Sequence, residues 1–66
     1  MKGRKYRDFV SRACKILKEE VTASKIEILE VEEDDNGINF VKYKNRYGRI
    51  YTIRKAGRVY LYREVE

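Results

Sequence analysis

"VKYKNRYGRIYTIRKAGRVYLYREVE", residues 41–66, decides the fold. Apolar or aromatic residues recur at every second position, the period of a β-strand. Two short interruptions break the run, "NRYG" at 45–48 and "KAG" at 55–57, and "DDNG" at 34–37 precedes it. Each ends in glycine. A type I turn followed by one left-handed residue wants glycine in that place, and Asp34 and Asn45 suit the first turn position. Three such loops predict Asp34 opposite Ile38, Asn45 opposite Arg49 and Arg54 opposite Arg58. The strands then cover about 25–33, 38–45, 49–54 and 58–64.

A side-chain period of two sorts these strands onto faces. One face collects Leu29, Tyr43, Tyr51 and Leu61, then Val31, Val41, Ile53 and Val59, all apolar or aromatic. The opposite face carries Ile28, Lys44, Ile50 and Tyr62, then Glu30, Lys42, Thr52 and Tyr60, then Glu32, Phe40, Arg54 and Arg58. Two alternatives bear on this register. Ile26 and Ile28 are out of phase with Leu29 and Val31, which calls for a bulge in the first strand. A two-residue last loop would swing Tyr60 and Tyr62 onto the core face; it would also ask Ala56 for a positive φ, so the longer loop is preferred.

Upstream, the period changes. Tyr6, Phe9, Val10, Ala13, Cys14, Leu17 and Val21 recur at steps of three and four, and predict an amphipathic helix over about 4–21 with "TAS" (22–24) as its exit. Arg4, Arg7, Ser11, Lys15 and Lys18 fall on the other side. Ser24 and Glu27 fit a capping box, which would open a second helix over 25–33. The β-branched density of that segment and the hairpin signal after it favour a strand. The expected fold class is α+β: one N-terminal amphipathic helix packed on a four-stranded antiparallel β-meander, in a single domain over 1–66.

Composition narrows the chemistry. A chain of 66 residues buries a small core, and its single cysteine, Cys14, supplies no disulfide. Abundant Lys, Arg, Glu, Ile and Val with no Gln, Trp or Pro resembles the usage of heat-adapted proteins. No apolar run approaches the roughly 18 residues of a membrane span, and no apolar segment follows the basic N-terminus. A cytoplasmic protein without membrane association is expected. The net charge of +5 is unevenly spread: residues 1–18 hold seven Lys/Arg against Asp8, residues 19–36 hold eight acids against Lys25, and residues 37–66 hold eight Lys/Arg against Glu64 and Glu66.

Catalysis finds no support. Histidine is absent, so proton transfer near neutral pH lacks its usual agent. Ser11 and Ser24 have no evident base, and Cys14 sits in the helical stripe as a small hydrophobe. The acids of 30–35 lack the spaced ligands of a calcium loop, and no glycine-rich loop precedes a helix. No cofactor, no metal and no enzymatic activity are expected. What remains is binding. Phe40, Tyr60 and Tyr62 among Lys42, Lys44, Arg54 and Arg58 would form a basic, aromatic sheet face able to stack bases and hold the phosphates of RNA or DNA. The alternative is a protein-interaction or homodimer module, such as an inhibitor or regulatory subunit. It would bury the same face, with Ile28 and Ile50.

Overall fold

Lys2–Leu17 forms helix α1. Its apolar stripe is the one the sequence marks. Val10, Ala13 and Cys14 are fully buried, Phe9 packs beside them, and Tyr6 and Leu17 are half-buried at the margins. The computed structural model describes residues 2–18 and 25–65. The helix stops before the predicted 21 because Lys18 turns left-handed, with φ 62°, while its N–H reaches the Lys15 carbonyl at 3.3 Å. Val21, the exit at 22–24 and the Ser24 half of the capping box lie outside the described residues.

Four strands follow: β1 (Glu27–Asp34), β2 (Gly37–Lys44), β3 (Ile50–Ala56) and β4 (Val59–Val65). They make one antiparallel sheet in the order β1-β2-β3-β4, so the fold is the expected α+β meander. Residues 25–33 open no second helix. Their β-branched density prevails, and β1 occupies the segment.

The β2–β3 register is the predicted one, from Phe40 opposite Arg54 to Lys44 opposite Ile50. Its loop is closed locally. Gly48 sits at φ 84° and donates to the Asn45 carbonyl, while the Asn45 side chain accepts from the N–H groups of Tyr47 and Arg49 at 2.9 and 3.0 Å. The β1–β2 ladder agrees in its middle, where Glu30, Val31 and Glu32 face Lys42, Val41 and Phe40. Both ends slip by one residue. At one end Ile28 faces Tyr43, so Leu29 becomes the extra residue of a bulge and stays 39% exposed. Ile28 joins the helix side and Ile26 is buried, which resolves their odd phase. At the other end Asp34 faces Gly37 and Asn39 is the extra residue, so Ile38 turns towards the core.

The last hairpin departs from expectation. Ala56 faces Val59, and the two-residue loop is Gly57–Arg58. Gly57 takes φ 64° at the first central position, the place a type II′ turn reserves for glycine. Ala56 therefore needs no positive φ. The shift exchanges the faces of β4. Tyr60 and Tyr62 join the helix side, where Tyr60 lies 5.9 Å from the Phe9 ring and Tyr62 stacks on Tyr51 at 5.2 Å. Val59 and Leu61 face outward, 58% and 55% exposed.

The core thus joins Val10, Ala13 and Cys14 of the helix to Val41, Tyr43 and Ile53 of the central strands. Tyr43, Tyr51 and Tyr62 stack in a line across β2, β3 and β4. The Tyr43 hydroxyl faces Tyr62 and meets Cys14 Sγ at 3.8 Å. Burial, aided by those contacts, pushes Tyr43 far above the usual phenol range, so it stays neutral.

Paired truncations on β4 test this register. Tyr62→Ala should lower unfolding free energy by about 2–4 kcal/mol, as large-to-small changes in packed sites do. Leu61→Ala should stay within about 0.5 kcal/mol, as surface changes do. Urea denaturation of both variants decides it, and the reverse ranking would restore the register with the tyrosines outside.

Candidate binding surfaces

Cross-strand pairing assembles the outer face of the sheet row by row, since directly opposed residues share a side. Glu32, Phe40, Arg54 and Leu61 make one row. Glu30, Lys42, Thr52 and Arg63 make the next, and Glu27, Lys44, Ile50 and Val65 a third. Ala56 and Val59 extend the face towards the last turn.

Of the seven residues expected to form the site, Phe40, Lys42, Lys44 and Arg54 do come together on this face. Arg58 sits exposed in the β3–β4 loop. Tyr60 and Tyr62 are on the opposite side of the sheet, covered by the helix layer, because the shorter loop changed the parity of β4. Phe40 is half-buried, and the Arg54 guanidinium lies 4.7 Å from its ring centroid. That contact occupies one side of the only aromatic ring on the face.

What the tyrosines vacate, aliphatic residues fill. Val59, Leu61 and Val65 of β4 form an apolar strip along that strand, joined at its two ends by Ala56 and Ile50 of β3, with Arg54 beside Leu61 and the Thr52–Arg63 pair between. The charges are graded across the face. Glu27 and Glu30 lie opposite Lys44 and Lys42, and Arg54 approaches Glu32 at 3.9 Å, so the β1–β2 half is largely self-compensated. Arg63 stands within the apolar strip with no carboxylate in its row on β3 or β4, and it forms no ion pair among the described residues.

Sequence reasoning missed two further features. The first is a clamp between helix and sheet edge: Lys5 Nζ and Tyr6 Oη both donate to the Glu33 carboxylate, at 2.6 and 2.8 Å. These residues are far apart in sequence and carry no local signal of their meeting. The second is Tyr47, 72% exposed in the β2–β3 loop, with the Arg46 guanidinium 4.8 Å from its ring centroid.

Elsewhere the molecule offers little chemistry. Cys14 is buried. A hollow of about 300 Å³ at the turn end of the sheet is bordered by Asp34, Asn39 and Lys55. Its Asp34 carboxylate already accepts from the Asn36 N–H and Asn39 Nδ2 at 2.8 and 3.1 Å, while Asn39 Oδ1 is buried with no partner among the described residues. No group of three His, Cys, Asp or Glu among the described residues could hold a metal ion. No helix among them is long and apolar enough to cross a membrane. The chain matches no protein-family model, no curated protein and no solved structure.

The Glu33 clamp has a definite pH signature. Hydrogen bonds from Lys5 and Tyr6 lower Glu33 below its ordinary 4.5, so its contribution is complete above that value and lost as pH falls through the lowered one. The hydrogen bond to Glu33 raises Lys5 above 10.5 and Tyr6 above 10.0, so their contribution is complete below those values and lost as pH rises through the raised ones. Urea midpoints measured across pH should therefore fall at both extremes. Glu33→Gln should flatten both limbs modestly, because the site is exposed. Superimposable profiles would show that the clamp contributes nothing.

Proposed function

We propose that this protein is a docking module, acting by binding without catalysis, whose outer sheet face seats an acidic amphipathic helix of a partner protein. One observation carries the reading: the apolar strip of Val59, Leu61, Val65, Ala56 and Ile50 is left uncovered on a small domain. Exposed apolar patches rimmed by polar groups mark interaction sites. The strip runs about 20 Å along β4 by strand rise, the length of a three- to four-turn helix, and widens onto β3 at Ile50 and Ala56. Arg63, within the strip, forms no ion pair among the described residues and supplies a cation there, with Arg54 beside Leu61. A partner with carboxylates beside an apolar stripe satisfies both features.

A second copy of the chain fits less well. It would have to present an apolar helical stripe, and that of α1 is already spent on the sheet. Face-to-face pairing of two such sheets would enclose Arg63 of both copies, and buried unpaired cations are costly. Nucleic acid held by stacking on this face also loses support. Tyr60 and Tyr62 lie on the other side, Phe40 is covered by Arg54, and three glutamates of β1 border the lysines of β2.

Nuclear magnetic resonance titration tests the reading. The probes are a designed helical peptide with a Leu stripe flanked by Glu, and its counterpart with Lys in place of Glu. The acidic peptide should shift the amides of Ile50, Val59, Leu61 and Arg63, and the basic one should not. Leu61→Gln should weaken that binding about tenfold, a typical loss for a central interface contact. The proposal falls if neither peptide binds, if sedimentation shows a dimer that occupies the face, or if single-stranded oligonucleotides shift those amides instead.

A further inference from the structure

We infer that the solvent face of α1 is a phosphate-binding surface for duplex DNA, independent of whatever the sheet seats. The observation is a separation of charge. Among the described residues, the exposed side of the helix and its C-terminal end carries Lys5, Arg7, Arg12, Lys15 and Lys18, and one carboxylate, Asp8. Lys5 is held by Glu33. Arg7, Arg12, Lys15 and Lys18 form no ion pair among the described residues. On the sheet's outer face, Lys42, Lys44, Arg54 and Arg63 meet Glu27, Glu30 and Glu32.

Geometry selects the polyanion. At about 100° per residue, Arg7 and Lys15 lie within roughly 80° of arc, and Arg12 lies about 60° beyond Lys15, so the cations span one flank and the outward face of the helix. From Arg7 to Lys18 the surface runs about 16 Å at 1.5 Å per residue. A rigid rod with cations spread over that arc suits the B-DNA major groove, which admits a helix between two phosphate rows. The deep, narrow major groove of duplex RNA does not admit one. Single strands are held chiefly by stacking on aromatic rings. This face has none fully exposed: Tyr6 is half-buried and engaged with Glu33, and the large apolar residue standing out is Ile16. An anionic membrane is a poor match too. An interfacial helix must insert its apolar stripe, and here that stripe is buried against the sheet. With cations and no base-reading constellation, the contact is to phosphates, and binding is independent of sequence.

Fluorescence anisotropy tests this on the intact chain, with a labelled 20-base-pair DNA duplex, one of its strands alone, and the matching RNA duplex. The DNA duplex should bind best. With about four phosphates neutralised, its affinity should fall on the order of a hundredfold between about 50 and 200 mM salt. Arg12→Gln with Lys15→Gln should make the log–log salt slope shallower by about 1.8. Glutamine matches Lys and Arg in helix propensity, and circular dichroism checks that the variant stays folded. Lys42→Gln with Lys44→Gln serves as the sheet-face control and should leave duplex binding nearly unchanged. No duplex binding at 50 mM salt, an equal or stronger preference for the single strand or the RNA duplex, or loss in the sheet variant with retention in the helix variant would each overturn the inference. Because Leu61→Gln leaves the helix untouched, it should reduce peptide docking and spare DNA binding, so failure of one reading is distinct from failure of the other.

Discussion

One helix covers one side of a sheet, and only part of that side. With side chains α1 is about 10 Å across, while four strands at about 4.8 Å spacing are wider. The arrangement of the rest answers this constraint. The small residues of the helix, Ala13 and Cys14, sit at its buried centre with Val10. That lets the backbone come near Val41, Tyr43 and Ile53 on the two central strands. The margin beyond the helix is covered by rings. Tyr51 and Tyr62 stack outward from the buried Tyr43, and Tyr60 leans on Phe9. Tyrosine suits that margin because its body is apolar and its tip tolerates water.

Among the described residues no helix covers the second side of the sheet, so the parity of β4 determines the character of that outer face. That parity was hard to read because β4 is apolar on both sides: Val59 and Leu61 alternate with Tyr60 and Tyr62. Either set could have formed a core. The decision lay in one glycine. The phase argument placed Gly57 at the end of a three-residue loop, where Gly48 does stand; the chain instead uses Gly57 at the start of a two-residue loop. Where a loop has its own side-chain signature, the sequence was sufficient. Asn45 caps its own turn, and β2–β3 has the expected register throughout. The misphased Ile26 and Ile28 likewise announced the bulge at Leu29. Contacts of long sequence separation, such as Tyr6 with Glu33, left no local trace.

The basic helical face was visible from periodicity alone, since exposure on a helix follows directly from its buried stripe. What the sequence could not rank was the strength of the two basic regions. That ranking depends on where the acids of 27–35 go. As β1, they lie along an edge strand, with Glu27 and Glu30 opposite the lysines of β2 and Glu32 near Arg54. The sheet's positive charge is thereby offset, and that of the helix is not.

The two edges of the sheet differ for the same reason. β1 lines its edge with carboxylates, a usual protection against pairing with another chain. β4 has Val59, Leu61 and Val65 on its outer side, with Arg63 and Glu64 as its nearby charges. An edge strand so apolar is a liability in a free monomer. Its retention is easier to understand if a partner covers the outer face. A helical partner there would complete a three-layer sandwich, with α1 on the far side and its cations still facing solvent. The two surfaces lie on opposite sides of the sheet, in a body whose shortest extent is 21 Å. At physiological salt the screening length is about 8 Å, so an acidic ligand on one side does not discharge the other. If both proposed surfaces bind their ligands, docking and phosphate binding would be additive properties of one small fold, each open to mutation without disturbing its neighbour.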